Sequence, residues 1–198
     1  MKIKVGSIIL LVILIAAAVQ IAGIAADAAP TNEYKIKAAF LFNFIKFSTW
    51  PESKFKDDKT IIIGIIGNNP FGRDIDVISK EKINNQPITI QRFGLFGEIA
   101  KLDSKSKEQK INEIRKCSVL YIAQSENANL KEIFAMTKDA SVLTVGDYPD
   151  FSDAGGIINL VMEESKVRFE VNFKAAEESK IQIRSQLLRL ARNQKDVK

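Results

Sequence analysis

The spacing of apolar and polar positions changes several times along the chain, and each change marks an element. After an uncharged run from Val5 to Ala26, Asn32 can cap a helix that continues to about Ser48, where the Trp50-Pro51 step ends it. On a wheel of 100° per residue, Ile36, Phe40, Leu41, Phe44, Ile45 and Phe47 form one wide apolar arc, expected to be core. Lys37 falls inside that arc, where an unpaired ammonium is expensive to bury, so it must snorkel to water or find an acid. Lys35, Ala39 and Lys46 lie on the other side with Phe42 among them. Phe42 is therefore either a partner contact or is covered by another element of the same fold.

Beyond the charged loop Glu52 to Lys59, the period becomes that of strands. Thr60 to Ile66 is almost continuously β-branched, the mark of a strand covered on both faces. Asn69 and Pro70 then suit the start of a helix to about Ser79, and Ile88 to Phe93 alternates as a second strand. A helix over 107–116 leads to a third strand at 118–123. Asn127 caps a helix to about Thr137, and Ser141 to Val145 is a fourth strand. Strands alternating with helices predict an α/β single domain, with a mainly parallel central sheet and helices on both faces.

The final third breaks this rhythm. Gly155-Gly156 introduces Ile157 to Met162, and a short turn leads to Val167 through Phe173, which predicts a C-terminal antiparallel edge hairpin. A turn at Glu164-Ser165 pairs Met162 with Val167, Leu160 with Phe169 and Ile158 with Val171 on an inward apolar face. The same register sets Glu170 opposite Asn159, with Arg168 and Asn172 in line, a polar row that is either a solvated edge or a recognition surface. A short helix from Lys174 and a terminal helix over 185–194 close the domain.

Composition narrows what such a domain does. The uncharged run follows the basic start Met1-Lys2-Ile3-Lys4 and ends in Ala26-Asp27-Ala28, so residues 1–29 read as a signal peptide cleaved after Ala28 or Ala29, leaving 30–198 as the domain. The rival is an uncleaved inner-membrane anchor, and both place the domain in the periplasm, with membrane contact only through the leader or a partner. The formal net charge of +5 is spread among acids over the whole chain, which argues against nucleic-acid binding. Cys117 is the only cysteine and cannot pair within the chain; as the opening of an apolar strand it reads as a small buried hydrophobe.

There is no histidine, which removes Ser-His-Asp and Cys-His catalysis together with the commonest transition-metal ligand. No metal site, cofactor or catalytic residue is expected, and the chain reads as a non-enzyme. Two loops are weak ligand candidates. Gly67 to Gly72, containing Asn68 and Asn69, ends a strand and opens a helix but lacks a P-loop's lysine and hydroxyl. The loop with Gly146 and Asp147, followed by Gly155 and Gly156, stands after the fourth strand; a crevice between the two would suit a small ligand at a point of strand reversal.

Taken in order, several stretches resemble the YfiR family of periplasmic regulators. They are Glu33 to Leu41 with Asn43-Phe44, Lys46-Phe47 and Trp50-Pro51; Gly64 to Gly72; Cys117 to Ile122; Leu143 to Asp147 with Phe151; Gly155 to Asn159; Val167 to Asn172; and Ser185 to Ala191. The resemblance covers almost the whole mature chain. It implies a protein that binds the outer portion of an inner-membrane diguanylate cyclase or a sensor kinase and holds it inactive until an envelope signal relieves the block, with self-association left open. It also places Lys37 in the family pattern, with Asp147 or Glu170 as its acid. Two departures stand out: the lone cysteine allows no intramolecular disulfide, and Leu160 occupies a position where an aromatic is common. Candidate partner-binding residues are accordingly Phe42, Lys37, Asn159, Arg168, Glu170 and Asn172, and the alternative is a periplasmic sensor that binds a small molecule.

Overall fold

The computed structural model describes residues 28–56 and 59–192, so the expected signal peptide, 1–29, lies outside the described part except for its last two residues. Helix α1 (Ala28–Lys46) leads to the two-residue strand β1 (Ser48–Thr49), followed by β2 (Ile61–Ile66), β3 (Lys82–Ile83) and β4 (Gln86–Gly94). Helices α2 (Phe96–Ala100) and α3 (Ser104–Lys116) precede β5 (Val119–Ile122), then α4 (Leu130–Thr137) and β6 (Leu143–Gly146). The chain closes with β7 (Ile158–Glu163), β8 (Lys166–Val171), α5 (Phe173–Glu178), β9 (Gln182–Ile183) and α6 (Ser185–Leu188).

Seven strands form one sheet in the order β3-β4-β2-β5-β6-β7-β8. The stretch from β4 to β7 is parallel, and β7 with β8 forms the expected antiparallel edge hairpin. Alternation along β2 shows why its sequence is apolar throughout. Ile61, Ile63 and Ile65 join one core with α1, α5 and α6, while Ile62 and Ile66 join a second with α2, α3 and α4. Gly64 completes the second face because a Cβ there would lie 2.7 Å from Cys117 Sγ and 2.8 Å from a Phe93 ring carbon. Among the described residues, no helix is long and apolar enough to cross a membrane.

Several elements differ from expectation for identifiable reasons. The helix expected from Pro70 is a 3-10 stretch, Asp74–Lys80. Phe71 turns inward onto Tyr121, with ring centroids 4.7 Å apart, and the chain bends at Gly72 with φ 54° before winding begins. Helix α4 starts at Leu130, after a 3-10 stretch Gln124–Asn129 in which Glu126 is buried. Helix α3 starts three residues before the expected 107, because Asp103 caps it by accepting from the amides of Lys105 and Ser106. Strands β1 and β9, paired antiparallel, are too short to carry a periodic signal. Helix α6 stops at Leu188, and positions 193–194 of the expected terminal helix fall outside the described residues.

Lys54 ties the second face together from outside the sheet. Its Nζ donates to the carbonyl oxygens of Arg115 at 3.0 Å and Ala140 at 2.8 Å, closing off the ends of α3 and the turn after α4. Burial lowers this ammonium to about 8. Because the unfolded lysine titrates near 10.5, the unfolded chain binds more protons over that interval, and Lys54's contribution to stability rises as the pH climbs from about 8 to 10.5. In urea titrations across that range, Lys54→Met is expected to abolish this component, leaving a flatter pH profile than the parent. Identical slopes would refute the assignment. Burial likewise pushes the Cys117 thiol up to about 12, so it stays protonated at neutral pH.

Candidate functional site

Two regions gather the residues singled out by sequence. One is an ionic hub beneath the first helix. Lys37, 3% exposed, reaches from α1 to Asp147 just past the end of β6, at 2.6 Å, and also meets Glu33 one turn back at 2.5 Å. The other Asp147 oxygen accepts from Tyr121 Oη at 2.6 Å, and the Lys37 ammonium stands 4.5 Å from the Tyr34 ring centre. Burial pulls the ammonium down, but the hydrogen bonds to Asp147 and Glu33, with the Asp147 charge, outweigh it and hold Lys37 above its ordinary value. Burial and the Asp147 charge push Tyr121 far up, so its hydroxyl remains a donor.

This pairing rotates α1 relative to the expected arc. With Lys37 inside, the buried positions are Lys37, Ala38, Leu41, Phe44 and Ile45, while Ile36 is 43% exposed. Phe40 and Phe47 are only partly buried, and Phe42 packs partly against the same core, so the domain itself covers much of its ring. Glu170, the other candidate acid, lies two strands across the sheet from Gly146, through Asn159, and pairs with Arg192.

The second region is the hairpin. Its register pairs Ile158 with Val171, Asn159 with Glu170, Leu160 with Phe169 and Met162 with Val167. Leu160, Phe169 and Val171 lie in the core shared with α1, but Met162 is 47% exposed although its register partner Val167 is buried. On the opposite face Asn159 is 3% exposed, whereas Val161 and Glu170 are half-buried and Arg168 is exposed. Arg192 reaches Glu163 at 3.5 Å and Glu170 at 3.6 Å, and Arg168 approaches Glu163 at 4.0 Å. Arg192 also donates its amide to Phe169 O at 2.8 Å, which occupies part of the β8 edge. Asn172 leaves this row: it caps α5 at the Ala175 amide and donates to Ser152 O.

The structure thus divides the candidates. Arg168 and Glu170 form a surface row with Arg192 and Glu163, two residues the sequence reading did not pair. Lys37 and Asn159 are interior, and Asn172 serves the fold locally. Glu33 could have been found by its i,i+4 spacing from Lys37, whereas Tyr121 joins the hub only through tertiary packing.

Several groups of the two candidate ligand loops are engaged by the protein itself. Strand order reverses at β2, between β4 and β5, and there the Asn68 amide donates to Ser125 Oγ at 2.9 Å. Asn69 folds onto its own loop, accepting from the Phe71 amide and donating to Gly72 O. Gly67 packs on Ser125, Ala123 and the buried Glu126, which itself accepts from the Phe96 amide and the Asn129 side chain. Gly146 and Gly156 lie against the Phe151 ring, Gly155 borders a cavity of about 210 Å³, and Asp147 is engaged by Lys37 and Tyr121. Among the described residues, no group of three or more acids or cysteines is placed to hold a metal.

Comparison with known proteins adds to this geometry. No curated protein matches the chain. A crystal structure described as a conserved domain protein from Vibrio cholerae O1 biovar El Tor str. N16961 is similar at 14% identity and a TM-score of 0.46, over 66% of this chain and 53% of that one. The chain thus spans about half the length of that protein. Residues 34–192 match the family described as YfiR/HmsC-like. That match runs from the hub on α1 to the arginine that closes the hairpin edge, and the chain belongs to the YfiR/HmsC-like family.

Proposed function

We propose that the protein is an exported periplasmic regulator that binds the periplasmic part of an inner-membrane diguanylate cyclase and represses it. In this reading the leader is removed after Ala28 or Ala29. Family membership supports the coarse role, a periplasmic regulator in cyclic-di-GMP signalling. The observation that carries the docking face is the hairpin row. Glu163, Arg168, Glu170 and Arg192 stand on a sheet face where their ion pairs are long, at 3.5 to 4.0 Å, and the side chains are 30% to 51% exposed. Loose, solvated pairs of this kind contribute little to folding and are readily exchanged for groups on a partner.

Charge reversal at this row tests the proposal. Arg168→Glu is expected to leave the melting temperature within about 4 °C, since an exposed pair is worth about 1 kcal/mol at most. Capture of a membrane-bound cyclase by crosslinking in the native host should fall at least about tenfold, the effect of one lost charged contact at an interface. Cellular cyclic-di-GMP should rise in step. Full capture by the folded variant would remove the hairpin from the interface, and failure of the parent to capture any cyclase or sensor kinase would overturn the regulator reading.

A further inference from the structure

A groove beside Trp50 has the properties of a small-molecule site. It encloses about 330 Å³, the lower end of the range for ligand pockets, and its apolar wall comes from Ile45, Phe55, Ile61 and Ile83. Ser48 and Trp50 also line it. Among the described residues, neither Ser48 Oγ nor Trp50 Nε1 has a hydrogen-bond partner, although both atoms are buried. Ser48 is only 7% exposed, so an orphaned hydroxyl there is a destabilising choice for a domain that needs the position only for packing. A second cavity of about 380 Å³ shares Thr49 and Trp50 but adds no further orphaned atom.

The polar groups restrict what fits. An indole N–H is a donor only, so the occupant must present an acceptor to Trp50. Lys46, at the end of α1, and Arg184, just before α6, line the same groove against one acid, Glu52, so the rim favours an anion. An acceptor with negative charge next to an aliphatic wall describes a carboxylate on a hydrocarbon body. We propose that the Trp50 groove binds a small aliphatic monocarboxylate, its tail against Ile45, Ile61 and Ile83 and its head toward Trp50, Ser48 and the two cations.

Trp50 is the only tryptophan in the chain and borders both cavities, so its emission reports binding at either, while Lys46 and Arg184, which line this groove and not the second cavity, tell the two apart. Titrating the protein with octanoate is expected to shift that emission saturably. Octan-1-ol, with the tail but no charge, should bind at least about tenfold more weakly, and acetate, with the charge but no tail, should leave the emission unchanged. The double variant Lys46→Gln/Arg184→Gln, both positions exposed, should weaken octanoate at least about tenfold while leaving octan-1-ol unaffected. Ser48→Ala supplies a separate readout: it should raise the melting temperature of the free protein and reduce the stabilisation that octanoate confers. A purely structural serine would change only the first. The proposal is overturned if octanoate produces no saturable change, if octan-1-ol matches it, or if the double variant binds it as tightly as the parent.

Discussion

Asp147→Ala is expected to destabilise the domain by about 3–5 kcal/mol, the loss that follows when one partner of a buried ion pair is removed and the other is left without its counter-charge. Asp147 serves two donors at 2.6 Å each, the Lys37 ammonium and the Tyr121 hydroxyl, and both sit in the interior. Glu33 remains to Lys37 in the variant, but it is 29% exposed and ties the lysine only to its own helix. Lys37→Met should cost less, because Asp147 keeps Tyr121 and a methionine suits the apolar surroundings. Removing both charges with Lys37→Met and Asp147→Ala should cost less than the two single losses together, and the double-mutant cycle in urea then isolates the pair. A cost below about 1 kcal/mol for Asp147→Ala would show that the hub does not hold α1 to the sheet. The sign with pH is opposite to that of Lys54. Lys37 is held above its ordinary value, so its contribution is complete below the ordinary lysine range and is lost only as the pH rises beyond it.

Gly156→Ala should be comparably severe. An added Cβ would lie 2.1 Å from one carbon of the Phe151 ring and 2.3 Å from the next, far inside contact distance. The ring cannot withdraw easily. It is fully buried, with Tyr148 edge-on at 5.3 Å and Phe134 at 5.6 Å between ring centres. Overpacking of this kind costs about 3 kcal/mol. Shortening the obstruction should relieve it, so Phe151→Leu combined with Gly156→Ala is expected to be more stable than the sum of the two single losses, as measured by urea unfolding. Strict additivity would show that the ring is not the obstacle. Gly146, whose added Cβ would lie 2.6 Å from the same ring, should behave likewise with a smaller loss. These glycines make room for Phe151, a packing role that their sequence did not suggest.

Much of the architecture is legible where the pattern is periodic. The turn at Glu164-Ser165 and the alternation around it set the hairpin register, because a slip by one residue would turn Phe169 and Leu160 out of the core. A lysine in the apolar arc of α1 had either to snorkel to water or to find an acid, and it pairs with Asp147. What escaped notice were contacts between residues distant in sequence. Ile36, which the wheel puts in the apolar arc, is 43% exposed, while Lys37 stays inside, held by its ion pair with Asp147. Arg192 closes the edge beside Phe169, and Lys54 finds the carbonyls of Arg115 and Ala140, without any local pattern to mark either contact.

Sequence alone therefore determined the layers: the longer strands and helices, the apolar face of the hairpin, and how its two strands pair. These follow from period, turn chemistry and burial, all properties of neighbours along the chain. Tertiary structure alone decided that the loops at the strand reversal are filled by the protein's own side chains, that Lys37 and Asn159 lie inside while Arg168 and Glu170 lie outside, and that Ser48 and Trp50 keep unpartnered polar atoms beside a cavity. The reason is that exposure and hydrogen-bond satisfaction depend on which other elements arrive at a position, and that depends on the packing of the whole domain.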